Sequence, residues 1–337
     1  MPKLLHTKKP HEMLRAIDPP TLDLDVDDLV DWLELAALFH EFGVSRLDAL
    51  LGSLLELEES AEDNIGERDK RREQVVEAIE NEVDLRQRSL GEAYPFQLND
   101  TGEELSRVDN WNDSQYAFYL ICLITTHVTG SAILRRPPTD NLLTRLRNRV
   151  FQIVSTLGLA GLASGPALSV GWPRRTGEGI TELLERAVAA GAGFVVRNPP
   201  GPYVSPQEKD GGIDVIAWTP EIVPPPTVFY FAQAASGKNW PGKSVSDHAR
   251  VFGQAYIQDH MTGNKMCVTL IPYRVLDDAF WNSQHQHHKA ILDRLRLPFR
   301  ALRGLLLSQQ GVAIDEAEHI GDMTDWLADY LAYAKAT

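Results

Sequence analysis

Two short runs near the middle of the chain constrain its fold most: IDVIAW at 213–218 and TVFYFAQAA at 227–235. Both are rich in β-branched and aromatic residues and bounded by turn residues: Gly211-Gly212 precedes the first and Pro224-Pro225-Pro226 the second. Such runs read as strands. About eight residues join them, so an antiparallel hairpin is the simplest arrangement. Successive strand side chains alternate faces, which groups Asp214 with Ile216 and Trp218, and Gln233 with Phe231 and Phe229. One symmetric register sets Trp218 opposite Phe229, Ile216 opposite Phe231 and Asp214 opposite Gln233. A slip of one residue would undo it. A carboxylate and an amide then sit at the open end of an otherwise apolar face.

The flanking segments place this hairpin in a larger unit. A helix over 180–190 is stopped by Gly191 and Gly193, and AGFVVR (192–197) reads as a strand. NPPGPYVSPQEKDGG is a loop, residues 244–261 form a helix, and KMCVTLIPYRV (265–275) is a further strand. This helix–strand–strand–strand–helix–strand order predicts a mixed α/β, or α+β, fold with a central mixed sheet flanked by helices. Residues 20–165 read as helical. Leu29, Trp32, Leu33, Leu35, Ala36 and Phe39 lie on one face of a helix capped by Asp25 or Asp27. The densely charged stretch after Glu58 reads as a long solvated helix. FQIVSTLGLAGLASGPALSVGW (151–172) is apolar but broken by Gly, Ser and Pro, so it reads as a buried helix followed by a loop, not a membrane span. Residues after 290 are helical. The expected organisation is a flexible leader at 1–20, an all-helical domain at 21–165, and an α/β domain with C-terminal helices at 166–337.

Charge narrows the function classes. The 337 residues include 47 acidic and 33 basic ones, a net charge of -14, which argues against a non-specific binder of nucleic acid over the whole surface. The distribution is uneven. Acids concentrate in residues 20–110 and 314–329. Arg174, Arg175, Arg197, Lys209, Lys238, Lys243 and Arg250 surround the hairpin, and Lys289, Arg294, Arg296, Arg300 and Arg303 share a stretch with the single acid Asp293. Trp172 and Trp240 could stack on bases. The plain alternative for each charge cluster is a solvated face. Cys122 and Cys267 are too few and too far apart for a disulfide framework, and a reducing cytoplasm is the natural setting. The N-terminal residues lack a secretory core. His285, His287 and His288 lack zinc-site spacing, and ASGKNW lacks the glycine and hydroxyl residue of a phosphate loop.

GGIDVIAW, a following strand that carries Gln233, and ASGKNW beyond it resemble the restriction-endonuclease-like, or PD-(D/E)XK, nuclease superfamily. The resemblance covers roughly residues 170–275, about a third of the chain. It implies an Asp on one strand, a Glu or Gln on the next, a nearby Lys, and a Glu on a preceding helix. Here these are Asp214, Gln233, Lys238 or Lys243, and Glu182, with Glu178 or Glu185 on nearly the same helix face. The usual lysine position, two residues beyond the Gln, holds Ala235. The implied cofactor is Mg²⁺, with Mn²⁺ as a substitute, held by Asp214, Glu182, the Gln233 amide oxygen and the Ala234 carbonyl; Mg²⁺ prefers such hard oxygen ligands. Arg174, Arg175, Trp240, Lys243, Arg294 and Arg296 would contact DNA. The implied activity is a Mg²⁺-dependent endodeoxyribonuclease of prokaryotic restriction or antiphage defence. The helical N-terminal region would bind a protein partner or form a homo-oligomer, with no membrane involved. A reading of another class is a catalytically inactive nuclease-like subunit that binds nucleic acid or acts as a scaffold in a defence complex; the displaced lysine favours it.

Overall fold

A computed structural model describes residues 16–21, 24–58, 65–131, 133–171, 177–202, 204, 211–259 and 264–336. Trp172, Arg174, Arg175 and Lys209 lie outside the described residues.

The first helix, α1 (Val26–Phe39), is capped by Asp25, whose carboxylate accepts from Asp28 N–H at 2.9 Å. All of Leu29 through Phe39 is buried, so α1 is a core helix. Next come β1 (Val44–Arg46), α2 (Leu47–Glu58), α3 (Ile65–Leu90), β2 (Phe96–Leu98) and β3 (Glu104–Arg107). The order β1-β3-β2 makes a small antiparallel sheet inside the region expected to be all helical. Strands of three or four residues are too short to display a period of two, which is why the sequence hides them. Then follow α4 (Ser114–Thr126) and α5 (Asp140–Arg145), which continues through a wide π turn at Leu146–Val150 into α6 (Phe151–Ala163).

The second half supplies the main sheet. Its elements are β4 (Ala167–Ser169), α7 (Ile180–Ala189), β5 (Val195–Val196), β6 (Val215–Trp218), β7 (Val228–Ala234), α8 (Val245–Tyr256), β8 (Ile257–Asp259) and β9 (Asn264–Leu270). After these come α9 (Asp278–His288), β10 (Ile291–Leu292), α10 (Leu297–Gln309) and α11 (Ile320–Lys335). The sheet runs β10-β9-β7-β6-β4, with β10, β9 and β7 parallel and β6 and β4 antiparallel to their neighbours. The fold is mixed α/β. The β6–β7 register sets Trp218 against Phe229 and Ile216 against Phe231, as the alternation requires. One strand differs from expectation. The AGFVVR segment leaves the central sheet, and its β5 pairs with β8 in a separate two-stranded ribbon. The place beside β6 is taken by β4, three buried residues in the stretch read as a loop.

Helices cover both faces of the sheet. Val215, Ala217, Tyr230, Ala232, Val268 and Leu270 face α6, α10 and the N-terminal helices. Ile216, Trp218, Phe229 and Phe231 face α7 and α8. The first of these cores runs continuously from Ala16 to Ala334, so residue 165 does not separate two cores. The leader is anchored from Ala16, because Ala16 and Ile17 are buried and Ile17 bridges to Leu134.

The glycines that interrupt the apolar run in α6 are packing residues. A Cβ at Gly161 would land on the Arg300 carbonyl of α10, and one at Gly304 on the Leu157 carbonyl of α6, whereas one at Gly158 meets only the mobile end of the Leu297 side chain. The two helices therefore touch backbone to backbone. Gly304→Val is expected to cost about 3 kcal/mol or more, at the upper end for overpacking, because a backbone carbonyl cannot rotate away. Gly158→Ala is expected to cost far less, since Leu297 can adjust and alanine favours helix. Urea midpoints of the two variants read the difference. No helix among the described residues is long and apolar enough to cross a membrane.

Candidate functional site

Asp214 lies one residue before β6, at the end of the sheet where β7, β9 and β10 terminate. Its N–H donates to the Ala232 carbonyl at 2.9 Å, and its carboxylate Oδ2 accepts from Ala234 N–H at 2.8 Å. These bonds bracket Gln233 and set it directly across from Asp214, as the symmetric register predicts. The Asp214 carbonyl is held in turn by Val170 N–H (2.8 Å), Gly171 N–H (2.9 Å) and Gln152 Nε2 (3.0 Å). Gln152 also donates to Ser169 Oγ at 2.9 Å, so α6, β4 and β6 are tied together at this point. Gly171 leaves space here: a Cβ would come within 3.0 Å of Asp214 Oδ1 and 3.3 Å of the Gln152 amide. Gln233 Oε1 is buried and has no hydrogen-bond partner among the described residues, a state that costs about 1–3 kcal/mol unless a ligand satisfies it.

The remaining sequence-derived residues divide sharply. Ala234 meets Asp214 through its N–H, so it serves first as a donor to the carboxylate. Glu182 belongs to α7, the helix that packs on the Ile216 and Trp218 face of the sheet. It is exposed in the first turn of α7, with its carboxylate over Gly179, where it offsets the helix dipole. Glu178 is committed to Arg186 at 2.9 and 3.0 Å, and Arg186 also grips Asp315. From α6, Gln152 reaches the Asp214 backbone carbonyl. It is a single amide in the apolar start of α6, and that placement was its signal in the sequence.

The two candidate lysines sit beyond β7, and the surroundings of Lys238 are defined. Lys238 Nζ sits 4.3 Å over the Tyr273 ring, where burial lowers its pKa while Asp28 and Asp31 of α1 oppose that fall. Lys243 ends the short turn Trp240–Gly242. Ala235 is fully buried with Trp240, Ile271, Tyr273 and Ile291, so a lysine at the usual position would have to bury its ammonium among apolar side chains. Trp240 belongs to that same small core, edge-on to Phe280 and tilted against His288, and offers no open face for a base. Arg294 is also removed from any nucleic-acid surface. It is completely buried, with Nη1 2.6 Å from Asp31 and Nη2 2.8 Å from Asp27. Arg296, two residues on, is exposed; it pairs with Asp293 at 2.9 Å and lies 4.8 Å over Trp281.

The partners of Arg294 belong to a buried ion network that sequence reasoning missed. Arg86 bonds Asp27 (2.5 Å), Asp31 (2.6 Å) and Glu82 (2.8 Å), and Arg274 bonds Asp27 at 2.8 Å. Tyr94 and Tyr119 donate to Glu34, and His127 Nε2 lies 2.7 Å from Asp31. Burial alone would raise the Asp31 pKa, but Arg294, Arg86 and the His127 hydrogen bond hold it well below the ordinary carboxylate range. Burial raises Glu34, and Arg86 offsets this only in part. Asp28, Asp31 and His127 bring three ligand-type atoms within 4.8 Å of one another, yet Asp31 Oδ1 is taken by Arg86 and Oδ2 by Arg294 and His127. Guanidinium groups already fill the place of a cation. Asp27, Asp31 and Glu34, spaced four and three apart in a helix buried all round, are the sequence signal for this network.

Comparison with family models, with curated proteins and with solved structures finds no match to this chain.

Proposed function

We propose that this protein is a divalent-metal-dependent nuclease that hydrolyses phosphodiester bonds of DNA, with Asp214 and Gln233 as its metal ligands. The observation that carries this reading is the pairing of a carboxylate with an unsatisfied buried amide oxygen across adjoining strand ends, beside the clearance left by Gly171. The donor set fits Mg²⁺ or Mn²⁺: the groups at hand are oxygens, and an ion using one carboxylate would retain several waters and leave room for substrate oxygens. When bound, the ion would polarise the scissile phosphate and generate the nucleophile from water. The chain itself fixes the ligands. Among the described residues, Val170, Gly171 and Gln152 donate to the Asp214 carbonyl and Ala234 to its carboxylate, which holds that residue in place, so little reorganisation accompanies binding.

The resemblance of the hairpin to restriction-endonuclease-like enzymes supports the substrate class and a role in prokaryotic restriction or antiphage defence within the cytoplasm. A second reading has its own observation. Ala235 is buried at the usual lysine position and Lys238 is held over Tyr273, which favours a nuclease-like subunit that binds DNA without cutting it. Nicking of supercoiled plasmid in Mg²⁺ and in Mn²⁺ separates the two. The enzyme reading expects metal-dependent nicking that Asp214→Asn abolishes. DNA binding without nicking in either metal selects the second reading.

A further inference from the structure

An arginine-lined pocket opens at the same end of the sheet as Asp214. It has a volume of about 450 Å³ and lies between α3, α9 and the start of α10, with Arg274, Asp278, Trp281, Asp293, Arg296 and Arg300 in its wall. Two of its cations are already neutralised: Arg274 by Asp27 and Glu82, and Arg296 by Asp293. Arg300 is not. Its Nη1 donates only to the Arg296 carbonyl at 3.2 Å, and it has no carboxylate partner among the described residues. Arg303, one turn further on the same edge of α10, is exposed and lies 5.9 Å over the Phe299 ring, likewise with no carboxylate partner among the described residues. Burial lowers the pKa of Arg300, and Arg296 and Arg303 push it the same way. Three guanidinium groups thus crowd the first turns of a helix, where the macrodipole is also positive. Among the described residues that line the pocket, only the exposed Asp278 and the committed Asp293 oppose them. Such a place is short of negative charge.

Position links this pocket to the proposed site. β10 ends at Leu292, which pairs with Leu270 of β9; Leu270 pairs with Ala234 of β7, and Ala234 holds Asp214. From β6 to β10 is three strand spacings, about 14 Å at the usual separation.

We infer that Arg300 and Arg303 bind the phosphate backbone of the DNA strand whose scissile bond lies at Asp214 and Gln233. This rests on the nuclease reading for its substrate. The test is binding of a labelled duplex of about 30 base pairs, followed by anisotropy in EDTA between about 50 and 200 mM salt, so that cleavage plays no part. The double variant Arg300→Gln/Arg303→Gln is expected to lower the slope of log affinity against log salt by about two, one for each lost phosphate contact. Arg46→Gln, which removes one positive charge from the N-terminal sheet, as Arg303→Gln alone does from α10, is expected to leave the slope unchanged. Inorganic phosphate at matched ionic strength is expected not to displace the duplex. Arg303→Gln alone, at an exposed position, is expected to lower the slope by about one and covers the case in which Arg300→Gln fails to fold. An unchanged slope in folded variants, an equal loss in Arg46→Gln, displacement by phosphate alone, or no duplex binding by the wild type overturns the inference. If Asp214→Asn loses nicking while the arginine variants keep their slope, the pocket assignment fails and the nuclease reading stands. A lowered slope in a protein that never nicks DNA retains the pocket and removes the nuclease reading.

Discussion

Arg294→Ala is expected to destabilise the protein by about 3–5 kcal/mol, the cost of leaving buried carboxylates without their counter-charge. Asp31 and Asp27 would lose bonds of 2.6 and 2.8 Å in a place from which water is excluded. The melting temperature should fall on the order of 10 °C. The result also separates two roles. A residue whose task is to contact DNA would lose affinity with an unchanged melting temperature, whereas a structural ion should do the reverse. Acid titration gives a second signature. The folded-state pKa of Asp31 is depressed, so its contribution is fully present above the ordinary unfolded value of about 3.9 and is lost as pH falls below it. Glu34 works in the opposite sense, because its raised pKa favours folding when it is protonated and opposes folding as pH rises past its ordinary value. Wild-type stability should therefore fall steeply below about pH 4, and Asp31→Asn should flatten that slope.

The second large effect concerns activity. Asp214→Asn keeps the shape of the side chain and an oxygen that can accept from Ala234 N–H, so the fold should persist. It removes the negative charge that a dication requires. Metal-dependent nicking is expected to drop on the order of 10³-fold, several kcal/mol of transition-state stabilisation. Gln233→Glu should tighten Mg²⁺ binding by adding a second carboxylate. Gln152→Leu, which removes one donor from the Asp214 carbonyl, should weaken metal binding by about 10–100-fold while leaving both ligands in place. Full nicking by Asp214→Asn, or nicking by the wild type that survives EDTA, would contradict the assignment.

Much of this arrangement is legible in the sequence, and the reasons are local. The β6–β7 register follows from two apolar alternations joined by a short proline-rich turn, which leaves little freedom for slip. The helices around the sheet declare themselves by period. β4 does not, because three residues carry no period, and with β4 hidden the tie from Gln152 of α6 to the Asp214 carbonyl is hidden too. Arg294 and Arg296 stand two positions apart in one basic stretch, and nothing local separates a fully buried ion from an exposed one. The decision lies with Asp31, 263 positions away from Arg294, and with Arg86, 55 positions beyond Asp31. Such pairings are long-range facts of packing that no window of sequence contains. The same holds for Trp240, whose burial depends on Phe280 and His288 folding over it.

Crystals soaked in Mn²⁺ and measured at the manganese absorption edge address the metal centre without reference to turnover. The account requires an anomalous peak bonded to the Asp214 carboxylate and Gln233 Oε1, at the roughly 2.0–2.2 Å expected of a small hard dication. A map with no peak there, or with manganese only beside Asp28 on α1, contradicts it.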